Sequence, residues 1–438
     1  MYYDLTRGSI SKSLFFFALP MMAGNLLQQF YNIADTLIVG RVLGKNALAA
    51  VGSAYTLMTF LTSVFLGLSM GAGALFSIYL GKKEMEHLRA AVYHAFVMIM
   101  AVTVLLNALV YLFLDPILSF LRVPAEVWGA MKDYLLIIFA GLIATSLYNF
   151  FACMLRALGN SSVPLYFLAV SAIINIVLDL LLIIGFHWGI HGAASATIIA
   201  QYTSAIGITV YVLCRCRNVI GGWRHIPFNG HILKEILNLS TLTCLQQSVM
   251  NFGILMVQGL VNSFGSVIMA AFAAAVKIDT FAYLPVQDFG NAFSTFTAQN
   301  YGAGNHARIR AGIRRAFLMS ISFSIVISLL VFFFASPLMK IFIASSEHDV
   351  ITAGVQYLRI EGSFYCGIGC LFLLYGYYRA INKAEMSLVL TVISLGLRVL
   401  LAYILSGVIG VIGIWMAIPI GWFLADAVGL LYMKKYLN

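Results

Sequence analysis

Long apolar runs, broken by short charged or Gly/Pro-bearing punctuation, fill most of the chain. Twelve can be read, with cores opening near Leu14, Ser53, Ala90, Lys132, Val163, Gly192, Ile236, Ile268, Gly312, Ala353, Met386 and Ile412. A hydrocarbon layer about 30 Å thick takes about 20 helical residues to cross, and each run supplies that. The runs are continuous rather than alternating, which excludes a transmembrane β-barrel. The stretches 53–80 and 268–301 exceed one perpendicular pass and should tilt, bend or project beyond the membrane. The first run continues from Leu14 past Val39, too long for the apolar region of a cleavable signal peptide. The pattern predicts an all-α polytopic membrane protein with twelve transmembrane helices.

Composition agrees. Hydrophobic residues make up 62% of the 438 and charged ones 10%, where a soluble domain carries roughly 25% charge; mean hydropathy is +0.95. The net charge of +10 would suit a nucleic-acid partner, but its placement argues against one. Eighteen Lys and Arg fall on the side of the N-terminus, among them Arg7, Lys82, Arg156, Arg215, Arg308 and Lys434. The opposite loops hold six: Arg41, Lys45, Arg122, Lys132, Lys340 and Arg359. That asymmetry is the positive-inside rule; it predicts a multi-pass protein of the inner (plasma) membrane with both termini cytoplasmic, among lipids and without nucleic acid. The six cysteines show no metal spacing and sit mostly in apolar runs, as reduced small hydrophobes. The eight histidines form no nucleophile–base or metal set, so no enzyme and no cofactor are expected. Eighteen Met and 13% aromatic residues would suit a forgiving ligand pocket, but lipid-facing surfaces use the same residues.

The chain repeats itself. Gln28-Gln29 recurs 218 residues later as Gln246-Gln247. Gly81, Arg89-Ala90, Ala95-Phe96 and Pro116 recur at a spacing of 221 as Gly302, Arg310-Ala311, Ala316-Phe317 and Pro337. Gly189 and Gly192 recur at the same spacing as Gly410 and Gly413; Tyr134-Leu135 and Arg156-Ala157 recur at 223 as Tyr357-Leu358 and Arg379-Ala380. Six spans per copy is an even number, so both copies enter from one side: two parallel six-helix repeats forming an N-lobe (1–214) and a C-lobe (236–438), joined by a polar cytoplasmic linker (215–235). Facing lobes of this kind suit alternating access by rocking. No phosphate-binding GxxxxGK[ST] loop is present, so a secondary transporter driven by an ion gradient is the expected class.

A charge inside a span costs about 2.5–3.5 kcal/mol and needs a reason. The first helix carries Tyr31 and Asp35, four apart on one face; the fifth carries Asn175 and Asp179 with the same spacing. Thr197 in helix 6 and Tyr134 at the start of helix 4 complete a polar level in the outer half. The C-lobe counterparts of Asp35, Asp179, Thr197 and Asn149 are Gly253, Ala402, Ile418 and Phe372, so the fold itself does not require polarity there. Two carboxyls at one depth suit protonation, or a Na⁺ ion held by Asp35, Asn175, Asp179 and Thr197, and Pro20 removes a backbone hydrogen bond fifteen residues before Asp35. The C-lobe has its own candidate polar cluster of Lys277, Asp279, Asp288, Glu361 and Arg398, the last replacing Asn175, with Pro285 expected to kink the helix near Asp288. A neutralised ion cluster is the leading reading there and a substrate or second coupling role the other. Asp426 is read as structural.

With these residues assembled, the chain resembles bacterial members of the multidrug and toxic compound extrusion (MATE) family. The resemblance spans the whole length. It rests on Ala18-Leu19-Pro20, Asp35-Thr36-x-x-Val39-Gly40-Arg41-x-x-Gly44, Arg156-Ala157-x-Gly159-Asn160 and, most specifically, Gln299-Asn300-Tyr301-Gly302-Ala303-Gly304. It implies two six-helix bundles around a V-shaped cavity and export of cationic or amphipathic compounds in exchange for H⁺ or Na⁺. Separately, the protein is expected to work as a monomer. The resemblance also implies an N-lobe site of Asp35, Asn175, Asp179, Thr197, Tyr134 and Asn149, with Pro20 as the bending residue. A second branch of the family places carboxylates in the C-lobe, where Glu361 is a loose match and Arg398 opposes a Na⁺ site. The rival reading is a lipid-linked oligosaccharide flippase of the same superfamily, which would favour a strongly cationic cavity.

Overall fold

A computed structural model describes residues 4–120, 123, 125–221 and 226–437. Arg122, Arg224 and His225, counted above, lie outside the described residues. Lipid offers no hydrogen bonds, so a crossing chain must satisfy its backbone internally, and it does so with helices. The first half comprises α1 (Ile10–Val42), α2 (Lys45–Lys82), α3 (Met85–Leu112), α4 (Leu114–Phe120), α5 (Ala125–Ile138), α6 (Leu142–Ala157), α7 (Ser162–Asp179), α8 (Gly189–Arg215) and the single turn α9 (Arg217–Ile220). The second comprises α10 (Gly230–Asn262), α11 (Ser266–Gly302), α12 (His306–Phe342), α13 (His348–Gly362), α14 (Tyr365–Ala380), α15 (Ala384–Ile409) and α16 (Val411–Leu437). No strand occurs among the described residues.

Among the described residues eleven spans are long and apolar enough to cross a membrane, and the α13–α14 pair, bent by 51°, makes twelve when counted as one span. The tenth span was expected as one run from Ala353, and here the structure differs. Phe364 N–H bonds the Glu361 carbonyl at 3.0 Å and Gly367 N–H bonds that of Phe364 at 2.9 Å, so the helix is turned rather than continued. Ser363 donates its hydroxyl to the Arg359 carbonyl, a side-chain bond that competes with the ladder. Two further departures are local. A 3-10 turn, Phe139–Gly141, joins α5 to α6, and a π-helical segment, Leu180–Gly185, follows α7 directly after Asp179. By contrast α11 runs on through Pro285 and α1 through Pro20.

The described residues group into two compact units. Residues 23–244 form the first; 4–22 and 245–437 belong to the second. These bounds differ from cuts at 214 and 236, because each repeat's leading segment is held by the other repeat's unit. The linker was expected as a polar surface stretch, yet Cys216, Val219 and Ile232 are buried and α10 begins at Gly230. In the first unit, Gly67 and Gly71 of α2 bring its backbone against α10: a Cβ on either would stand 2.6 Å from Cys244 Cα or 2.5 Å from Ser240 Cα. This is the small-xxx-small contact that lets helices approach in lipid. Ser240 seals it by donating to the Leu68 carbonyl at 3.0 Å. In the second unit, Leu14, Phe17, Ala18 and Met21 of α1 join a core built on Phe272, Phe293, Leu373 and Trp415.

The repeated glycines have a physical cause. Gly189 and Gly410 have φ of 59° and 65°, the left-handed conformation that reverses the chain between the last two spans of each repeat. Three residues on, a Cβ at Gly192 would meet the Leu182 backbone at 3.2 Å, and one at Gly413 would meet Leu405 C at 2.4 Å. Gly413→Ala should therefore destabilise the protein by about 1–3 kcal/mol, read as a fall in Tm of the detergent-purified chain. Gly407→Ala, where a Cβ meets nothing within 4 Å, should leave Tm level or slightly raised.

Candidate functional site

The first unit gathers most of the predicted N-lobe residues. Asp179 closes α7, 0% exposed, and Asn175 lies one turn earlier at 2%. The Asp179 and Asp35 carboxyls face each other at hydrogen-bonding range. Among the described residues neither Asp179 oxygen, nor Asp35 Oδ1, nor Asn175 Oδ1 has an N–H or O–H donor. Asn175 Nδ2 donates to Thr197 Oγ1 at 3.5 Å, and Thr197 donates to the Ala193 carbonyl at 3.0 Å. The buried Tyr134 hydroxyl bonds to Thr197 and lies close to both carboxyls and to Tyr31. Tyr31 bonds to Gln28 on its own helix. The π-helical segment begins at the residue after Asp179. Such segments often accompany functional sites; α15, the counterpart of α7, stays α-helical to Ile409.

Asn149 is not drawn into this constellation by a hydrogen bond. Its Nδ2 donates at 2.8 Å to the Thr145 carbonyl one turn back. In the second unit the equivalent places are apolar: Phe372, Ala402 and Ile418 are buried in its core, and a Cβ on Gly253 would touch the Leu395 side chain at 3.1 Å.

The C-lobe cluster is reshaped. Asp279, 3% exposed, accepts a bond from the Tyr357 hydroxyl at 2.6 Å and another from the Tyr365 hydroxyl. Glu361, 6% exposed, adjoins Asp279 and Tyr357. Arg398 acts on both acids at longer range, its Nε without a partner. Phe272 and Trp415 pack around Tyr357, with ring centroids 5.4 and 4.8 Å away. Lys277 does not belong: it is exposed, its Nζ 6.0 Å from the Phe342 ring centroid. Two residues apart on a helix point to different faces, so Asp279 turns in where Lys277 turns out. Asp288 is buried nine residues beyond Asp279, about 13 Å along the helix by its rise, and so outside the cluster. Asp426 is buried, its Oδ1 without a partner among the described residues.

Tyr357 and Tyr365 were not among the expected site residues. The first was within reach, since Tyr357 is the repeat counterpart of Tyr134 and each stands beside its own lobe's acids. Tyr365 left no such signal: its counterpart at a spacing of 223 is Leu142.

The MatE family model matches the chain twice, at residues 20–181 and 242–404, which is the internal repeat again. A probable multidrug resistance protein of Bacillus subtilis, YpnP, is 30% identical over 99% of this chain and 96% of its own. The probable multidrug resistance protein NorM of Thermotoga maritima is 26% identical over 93% of this chain and 88% of its own. Among solved structures, a multidrug resistance MATE family transporter of the MOP superfamily in an outward-facing conformation superposes with a TM-score of 0.93 at 24% identity, over 99% of this chain and 97% of that one. Two buried acid sites inside a doubled six-helix fold, with these matches at full length, make the chain a member of the MatE family of membrane transporters and not an enzyme.

Proposed function

We propose that the protein is an antiporter of the plasma membrane, both termini cytoplasmic, that exports cationic or amphipathic small molecules in exchange for H⁺ by rocking-bundle alternating access. It works as a monomer, with no cofactor beyond the coupling ion. The observation that carries this reading is the Asp35–Asp179 pair, a fully buried Asp179 facing a half-buried Asp35, with no donor to either Asp179 oxygen among the described residues. That the cargo is a small-molecule drug rests on relatives named as multidrug resistance proteins; its cationic or amphipathic character is what the family resemblance implies.

The mechanism follows from desolvation. Two carboxylates withdrawn from water repel each other and lose their hydration; a proton shared between them removes most of that cost. When the site opens to water both can ionise, and when it closes a proton must be taken up. Asp35 sits on α1 and Asp179 on α7, so the charge state acts directly on how α1 lies against its unit. Pro20 leaves the Phe16 carbonyl without its ladder partner, so α1 bends most readily near the boundary at residues 22–23. A Na⁺ ion is the second reading, favoured by the oxygens of Asp35, Asp179 and Asn175 that lack donors. The C-lobe cluster reads differently: with two tyrosine hydroxyls on Asp279 and an arginine nearby, it is a structural knot.

In proteoliposomes with imposed pH or Na⁺ gradients and a cationic dye as reporter, the pH gradient should drive export. A response to Na⁺ alone would select the second reading, and movement insensitive to both would favour a flippase. Asp35→Asn and Asp179→Asn should each abolish gradient-driven export while the protein folds and inserts normally; full activity in both would remove the coupling role. Tyr365→Phe should do the reverse, lowering stability by about 1–3 kcal/mol, seen as a lower Tm, with gradient dependence retained.

A further inference from the structure

The segments leading into the two repeats are fastened in matching ways. Tyr79 and Asn300 occupy one repeat position, 221 apart. Both are buried and both hold the lead-in of the other repeat. The Tyr79 hydroxyl donates to Glu235 Oε2 at 2.5 Å, fixing the first turns of α10. Asn300 Nδ2 donates to the Leu5 carbonyl at 3.3 Å, and Leu5 N–H donates to Gln299 Oε1 at 3.2 Å, fixing the strap before α1. Each fastening has an arginine from the following helix. Arg89 Nε donates to the Asn218 carbonyl at 2.6 Å; Arg308 donates to the carbonyls of Leu5, Arg7 and Gly8, at 2.7–3.3 Å, with its guanidinium over the Phe296 ring. Asn229 ties the linker once more: its N–H donates to His94 Nε2 at 3.2 Å, while its Oδ1 caps α10 through the N–H groups of His231 and Ile232. The Gln299-Asn300 pair of the glycine-rich motif thus has a mechanical task.

These fastenings lie within single units, whereas α1 and α10 each pass from one unit to the other, at Met22–Ala23 and Cys244–Leu245. A movement of one unit against the other would leave the fastenings unstrained and fall on the two helices. We propose that Tyr79–Glu235 and Asn300–Leu5–Arg308 are equivalent anchors that stay closed through the transport cycle and force α1 and α10 to flex at residues 22–23 and 244–245. Glu235, Tyr79, Asn300 and Arg308 are then positioning residues for transport, remote from the carboxyl pair. Below residue 244 the locked Gly67–Gly71 contact keeps α10 straight, and Pro20 loosens α1 at its own crossing point. The inference rests on the chain being a transporter that alternates between shapes, and not on which ion drives it.

Hydrogen–deuterium exchange on the intact detergent-solubilised chain needs no substrate. Protection is expected across 232–243, with faster exchange within the turn that follows Cys244 and in the turn around Ala23. An α10 protected without interruption across 244–248, or exchanging over 232–243 as fast as at the hinge, would overturn the proposal. In a background free of the six native cysteines, the Tyr79→Cys/Glu235→Cys pair should export the reporter dye about tenfold more slowly, a loss worth 1.4 kcal/mol of barrier, with dye binding unchanged. Joining the two thiols with a flexible bis-maleimide should restore the rate. Wild-type speed without the cross-link, or arrest with it, would each sink the idea, the latter because it would mean the anchor has to open. Arg308→Ala, checked for folding by size exclusion, should reproduce the loss at the other anchor, with Arg308→Lys intermediate. Dye binding and its pH dependence report on Asp35 and Asp179 separately, so failure of the coupling site and failure of the anchors are distinguishable.

Discussion

A polar atom taken out of water must find a partner inside the protein, and in hydrocarbon there is no other source. That constraint turns the whole chain into helices. It also makes every unpartnered oxygen informative. Most buried hydroxyls here are settled locally, as when Thr103 donates to the Ile99 carbonyl or Ser171 to that of Ala200. Asp179 is not settled. An idle carboxylate costs more to bury than the few hydroxyls left without partners, such as Ser69 and Thr297, and the second half carries alanine at the equivalent place, Ala402.

The two halves are complementary in this respect. Where the first carries Asp35 and Asp179, the second carries Gly253 and Ala402; where the second carries Asp279 and Glu361, the first carries Met58 and Ile138. Each half keeps a tyrosine at the shared place, Tyr134 or Tyr357. The repeated scaffold therefore accommodates acids at either of two levels without needing them at both. The halves differ in how far the acids are satisfied, with two hydroxyl donors on Asp279 and none on Asp179. Satisfaction favours rigidity, and its absence favours a site that gains by taking up an ion.

Much of this was legible in the sequence, because hydropathy, repeat spacing and the i, i+4 rule operate at the level of composition and helix geometry. The twelve spans, the doubled architecture and the meeting of α1, α7 and α8 around Asp35, Asn175, Asp179 and Thr197 all followed from those. What escaped depended on single hydrogen bonds or on helix rotation. The π-helical segment after Asp179 involves Leu180–Gly185, residues that would form an ordinary helix equally well. The break at Ser363 lies in the backbone bonds of Phe364 and Gly367, which tighten the chain by one residue. Lys277 and Asp279 share one stretch of helix in the sequence, and closeness along the chain says nothing about which way each side chain faces. The unit boundaries depart from the linker because its polar composition hides two attachment points, the buried Ile232 and the Glu235 that accepts from Tyr79.

The exchange of leading segments also bears on biogenesis. The first unit lacks the α10 wall against Gly67 and Gly71 until residue 244 has left the ribosome, so six helices already inserted must wait for a seventh. The second unit, in turn, closes around a strap made at the very start of synthesis. Neither half of the gene, expressed alone, encodes a finished bundle; co-expressed halves cut within the linker would have to trade their ends before either could settle.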